Sequence, residues 1–227
     1  MQNKLLKKFY AFTLAEMLIV LTFLGVITTV TTVTVYNNIQ NAQHITAWKS
    51  TYSDFTQAVS RVAIDHGGDL AGVFTDHNTF RDKILAYMNS IKKCDAGTAT
   101  GANGCWHDAN SWHHLSGATG GNFSPSARAI LGNGTLIRFH ILSVGCTNTV
   151  SPNNDNCGYL EFDINGYRGT NKVGKDIFGV EVLKKGNIIP FGTKDDSFYN
   201  HPTSYSCDVT AYPNTQGWSC SADYLKR

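Results

Sequence analysis

The sequence predicts an α+β fold, a long N-terminal helix packed on an antiparallel sheet of four or five strands with disulfide-stapled loops. Three observations point there. An apolar run begins at Phe12 and passes without a break signal into an amphipathic stripe. The hydrophobic period changes from helical to two beyond Ser124. All six cysteines fall after residue 93, in three closely spaced couples.

The first element follows Lys4, Lys7 and Lys8. The run from Phe12 to Tyr36 carries Glu16 as its only ionisable side chain before its end. Read as a helix, about 25 residues rising about 1.5 Å each match the thickness of a hydrocarbon layer. The lysines would stay on the cytoplasmic side and the remainder would face outward. A secretory signal would show a shorter apolar core and a small-residue cleavage site, but this run dissolves into "TTVTTVTVYNN". The expectation is therefore a single-pass membrane helix.

Past Tyr36, Ile45, Trp48, Tyr52, Phe55, Val59 and Val62 recur at three- and four-residue intervals, an apolar face for the chain's own head. Gly67 and Gly68 suit the stop. A second, short helix is expected in "NTFRDKILAYMNSIKK", with Asn78 as N-cap and Phe80, Ile84, Tyr87, Met88 and Ile91 on one face. Then come strands. Asn133 and Gly134 separate two apolar runs as a hairpin signal, "GYLEFDI" and "DIFGVEVL" alternate, and "KKGN" turns the chain into "IIPFG".

Cys94 with Cys105, Cys146 with Cys157, and Cys207 with Cys220 each enclose a short Gly-, Asn- or Ser-rich loop. Sequential bridges are the leading reading, although six cysteines admit other pairings. None of the couples has CxxC spacing, which argues against zinc and for an oxidising compartment.

Composition excludes little. A formal net charge of +2 with scattered lysines and arginines gives no indication of nucleic acid. No G-x-S-x-G, P-loop or paired catalytic motif is present, so enzymatic activity is not expected. "CWHDANSWHH" offers His107, Asp108, His113 and His114 for zinc, in no zincin spacing, with Trp106 and Trp112 as possible partner contacts. In "FDINGYRGTNKVGKDIFG", Asp163, Asn165, Asn171 and Asp176 supply oxygens that suit calcium. Asn and Gly are equally what a bare turn requires, and Lys172 and Lys175 intrude. Otherwise no cofactor is expected.

"AFTLAEMLIVL" resembles the cleavage and methylation motif of type IV pilins and type II secretion pseudopilins: a basic leader, a small residue, then Phe, Thr, Leu and an acid five residues into the mature chain. The resemblance covers about the first 40 residues. It implies a leader at 1–11, cleavage by a prepilin peptidase between Ala11 and Phe12, and methylation of Phe12. It divides the rest into an assembly and transmembrane helix at 12–36, an amphipathic stem at 37–66 and a globular head at 67–227, with the helix retained in a bacterial inner membrane. The family usually has Gly where this chain has Ala11. Glu16 is implied to pair with the N-terminal amine of a neighbouring subunit during polymerisation. The implied partners are further copies, other pilins or pseudopilins, an inner-membrane assembly platform and membrane lipid. The implied function is a structural or assembly subunit of a pilus or pseudopilus. The alternatives are a minor pilin displaying a binding module for a surface, DNA or exported substrate, and a membrane-anchored zinc hydrolase.

Overall fold

The computed structural model describes residues 13–98, 100–101, 104–121, 125–148, 155–194, 196 and 202–226. Two compact units divide the chain, the first running to Ala42 and the second from Gln43 onward. Helix α1 is Leu14–Asp65. In its first part Thr22 and Thr28 turn their hydroxyls back onto the helix. Thr22 donates to the carbonyls of Leu18 and Ile19 at 3.0 and 2.8 Å, and Thr28 to that of Leu24 at 2.6 Å. Each hydroxyl thus meets its own hydrogen-bonding need locally, which lets Thr sit inside the helix.

The second unit is a meander. Its strands are β1 (Ser90–Cys94), β2 (Ala127–Leu131), β3 (Leu136–Ile141), β4 (Asn156–Asp163), β5 (Ile177–Leu183) and β6 (Ile188–Pro190), each antiparallel to the next in that order. The short helices are α2 (His77–Leu85), α3 (Pro202–Tyr205) and α4 (Cys220–Leu225). The β2–β3 hairpin turns at Asn133 and Gly134. Gly134 has φ +89°, and Asn133 Oδ1 accepts the Thr135 amide at 3.0 Å. This is the local side-chain-to-backbone bond that favours Asn at turns.

One sheet face carries Ile137, Phe139, Leu160, Phe162, Phe178, Val180 and Val182. It is covered by Trp48, Phe55, Val59 and Val62 of α1 together with Phe80 and Ile84 of α2. Phe55 meets Phe162 edge-on at 4.7 Å, and the Trp48 indole donates to the Ser221 carbonyl at 2.9 Å. Gly186, in the β5–β6 turn, lies so close to α1 that a Cβ there would sit 2.4 Å from the Ala63 methyl, and its φ is +80°. Only glycine meets both demands.

The opposite face is buried too. Loop 104–121, the chain just after β6 and the C-terminal segment lay Trp106, Trp112, Phe191 and Trp218 over Leu136 and Ile177. This is why β5 is buried at every position instead of alternating.

Two parts of the expected fold class are corrected. The sheet has six strands, not four or five, because Ser90–Cys94 is a strand and not the end of the second helix. Helix α2 is capped by Asp76, not Asn78. Asp76 accepts the Thr79 amide while the Thr79 hydroxyl accepts the Asp76 amide. The helix then stops at Leu85, Ile91 points outward, and Asn78 Oδ1 accepts the Ala96 amide at 2.9 Å.

A further correction concerns the membrane. Among the described residues no helix is long and apolar enough to cross one. Five threonines between residues 28 and 34, followed by Asn37 and Asn38, dilute the run that begins at Leu14. The transmembrane half assigned to 12–36, and the single-pass inner-membrane placement built on it, are not supported.

Candidate functional site

The cleavage residues Ala11 and Phe12 lie outside the described residues. Glu16 lies inside them, in the first turn of α1. Thr13 and Glu16 form a reciprocal cap there. The Thr13 amide and hydroxyl donate to Glu16 Oε2 at 2.8 and 2.9 Å, and the Glu16 amide donates to Thr13 Oγ1 at 3.2 Å. Two backbone donors that a helix start leaves open are satisfied in this way. The bond from the Thr13 amide holds the Glu16 carboxyl below its ordinary value, with the hydroxyl adding to it. Glu16 therefore has partners in its own chain, and the T-x-x-E spacing of "TLAE" was the signal that could have revealed them. Around it Leu14, Met17, Leu18, Ile19, Val20, Leu21, Phe23 and Leu24 are all exposed. Exposed apolar patches of that kind commonly mark interaction sites in proteins.

The cysteines form three bridges, Cys94–Cys105, Cys146–Cys157 and Cys207–Cys220. Two staple a loop onto the sheet, since Cys94 ends β1 and Cys157 lies in β4, and the third ties the C-terminal loop to Cys220 at the start of α4.

Of the four calcium candidates, Asp163, Asn165 and Asp176 lie together, joined through Asn165. Asp163 is fully buried, with Oδ2 against His107 Nε2 at 2.7 Å and Oδ1 accepting the Asn165 amide at 3.2 Å. Asp176 accepts from the Thr170 hydroxyl at 2.9 Å, the Asn165 amide group at 3.3 Å and the Lys172 amide. The Asn171 side chain donates to the Ser111 carbonyl at 3.1 Å. The two carboxylates are thus engaged by the protein's own donors, whereas Asn165 Oδ1 and Asn171 Oδ1 are buried without a hydrogen-bond partner among the described residues. Among the described residues no group of three or more His, Cys, Asp or Glu side chains could hold a metal.

The histidine-rich loop is structural in its contacts. His113 exchanges backbone bonds with Asn171 and Val173 at 2.9 Å each, which docks loop 104–121 onto loop 164–176. Burial, with His113 adding to it, lowers the His114 pKa. Trp106 and Trp112, read from sequence as possible partner contacts, are buried. Beneath them lies a charged layer that sequence reasoning missed. Arg138 and Glu161, opposite each other on β3 and β4, form a buried ion pair, and the Arg138 guanidinium lies 5.8 Å from the Trp106 ring centre. Burial raises the Glu161 pKa against the pull of Arg138. Burial also pushes Asp163 up to about 7, with the His107 hydrogen bond opposing and Asp176 adding to the rise.

No family model matches this chain, and neither a curated protein nor a solved structure gives a match.

Proposed function

We propose that the protein is a structural or assembly subunit of a type IV pilus or type II secretion pseudopilus. Its helix α1 associates with the equivalent helices of further copies and related subunits. The observation that carries this reading is the start of α1. The motif "AFTLAEMLIVL" leads into a helix whose first turns expose apolar side chains on every side and hold one carboxylate, Glu16.

Association of such helices removes that apolar surface from water, at about 25 cal/mol per Å². The cap does not exhaust Glu16. Thr13 bonds go to Oε2 alone, which leaves Oε1 for the amine that cleavage before Phe12 would create on a neighbour. A carboxylate held ionised by its cap suits that role.

The test is the N-terminal peptide of the chain recovered from its native cells, read by mass spectrometry. The expected peptide begins at a methylated Phe12 and comes from the sheared-filament fraction. A chain that keeps Met1–Ala11 and stays out of that fraction contradicts the reading.

A further inference from the structure

We propose that His77 is an acid-released latch: its neutral imidazole holds the first turn of α2 to the end of β3, and protonation lets the two part. The Ile141 amide donates to His77 Nδ1 at 3.0 Å. A backbone N–H can only donate, so Nδ1 carries a lone pair and the ring proton sits on Nε2. An imidazolium bears N–H at both nitrogens, and the Ile141 amide would then face another donor.

The ring is held on its flat side as well. His77 and His140 lie with centroids 4.7 Å apart, and His140 stacks on Tyr159 at 4.7 Å, so the column joins α2, β3 and β4. On the other edge of His140, Nδ1 lies 3.3 Å from the Ser126 hydroxyl.

The groups around the latch oppose a proton. From its own element comes Asp76, the one that favours it, but that carboxylate is committed to the Thr79 amide at 2.8 Å. From β3 come His140 and the cationic Arg138, and from β4 come Tyr159 and Glu161, the latter paired with Arg138. His77 also opens α2, at the positive end of the helix dipole. Burial first, then Arg138, lowers the His77 pKa against Asp76, and burial with His77 and Arg138 brings His140 down to about 4. Both histidines thus have folded values below their ordinary one. Their contribution is complete above the ordinary histidine value and is lost as pH falls below it toward the folded values. Release would loosen the cover that Phe80, 6.1 Å from Phe139 and 4.6 Å from Phe74, places on the core.

The test is amide hydrogen exchange at Ile141 in the full chain, corrected for intrinsic rate and referenced to Leu160 in the sheet centre. Between about pH 7.5 and about pH 5, Ile141 protection should fall about tenfold or more relative to Leu160. The His77→Gln variant, whose amide oxygen accepts without titrating, should hold its protection. An unchanged wild type, or a variant that loses protection in parallel, overturns the latch. Nitrogen shifts of the wild-type His77 ring test it without any substitution. Nδ1 should be unprotonated at about pH 7.5 and gain its proton over the range in which Ile141 loses protection. A protonated Nδ1 at the higher pH overturns it.

Discussion

The indole of Trp48 is stacked on the ring of Phe178, with centroids 4.9 Å apart and planes inclined by 16°. This contact fixes the second unit's stretch of α1 on β5, and the indole N–H closes it by bonding to Ser221. Trp48 is fully buried and meets Tyr52 and Phe162 as well. Trp48→Ala should lower stability by about 3–5 kcal/mol through lost transfer energy and a residual cavity. The midpoint of urea unfolding, followed by circular dichroism, measures it, and a loss below about 1 kcal/mol would show that this stretch of helix is not part of the core.

The Arg138–Glu161 pair gives a second prediction. Removing one charge from a buried pair strands the other, whereas replacing both with apolar side chains often costs little. Glu161→Ala should therefore destabilise by about 3–5 kcal/mol. The double variant Arg138→Met with Glu161→Leu should be closer to wild type than Glu161→Ala is. Equal losses in the two proteins would mean that the pair's surroundings, and not its charge balance, set the cost.

Asp163 makes a prediction about pH. Its folded pKa of about 7 stands above the ordinary carboxyl value of 3.8, so the folded chain keeps a proton that the unfolded chain releases between those two values. Its contribution is fully present below about pH 4 and is lost as pH rises to about 7. Urea unfolding of wild type and Asp163→Asn should therefore diverge across that window. The variant should gain on wild type by something on the order of 2–4 kcal/mol from acid to neutral pH, and by nothing further above about pH 8. A difference that stays constant across the window would contradict the burial of this carboxyl.

Much of the second unit is legible in sequence because its signals are local. The Asn133–Gly134 turn, the alternation of the strands after it and the stripe from Trp48 to Val62 each lie within one short stretch. The β1 strand is not legible in that way. Met88 and Ile91 fit a helical period. What decides the strand is non-local, the pairing of Ser90–Cys94 with β2 and the bridge from Cys94 to Cys105. The same limit hides the charged layer under the aromatic loops. His107 and Asp163 are 56 residues apart, and Arg138 and Glu161 meet only through the β3–β4 register. The Thr13–Glu16 cap lay in plain view as T-x-x-E.

The bridges also separate local from global stability. Cys94–Cys105 closes a separation of 11 residues. Replacing both cysteines by alanine should cost about 3 kcal/mol in the chain-entropy treatment. Thermal unfolding with and without reductant measures it. A variant as stable as the oxidised wild type would show that the bridge constrains nothing the fold does not already fix.

Glu16 serves α1 as a cap and is proposed to serve a neighbouring subunit as a charge. Glu16→Gln separates the two roles, since the glutamine oxygen still accepts from Thr13 but carries no charge. The decisive measurement is the amount of Glu16→Gln chain that enters sheared filaments beside a wild-type copy distinguished by a tag, with total expression matched. Near-complete loss of incorporation is expected, with the chain's helix content by circular dichroism unchanged. Incorporation of Glu16→Gln at the wild-type level would contradict the second role and leave Glu16 as a helix cap alone.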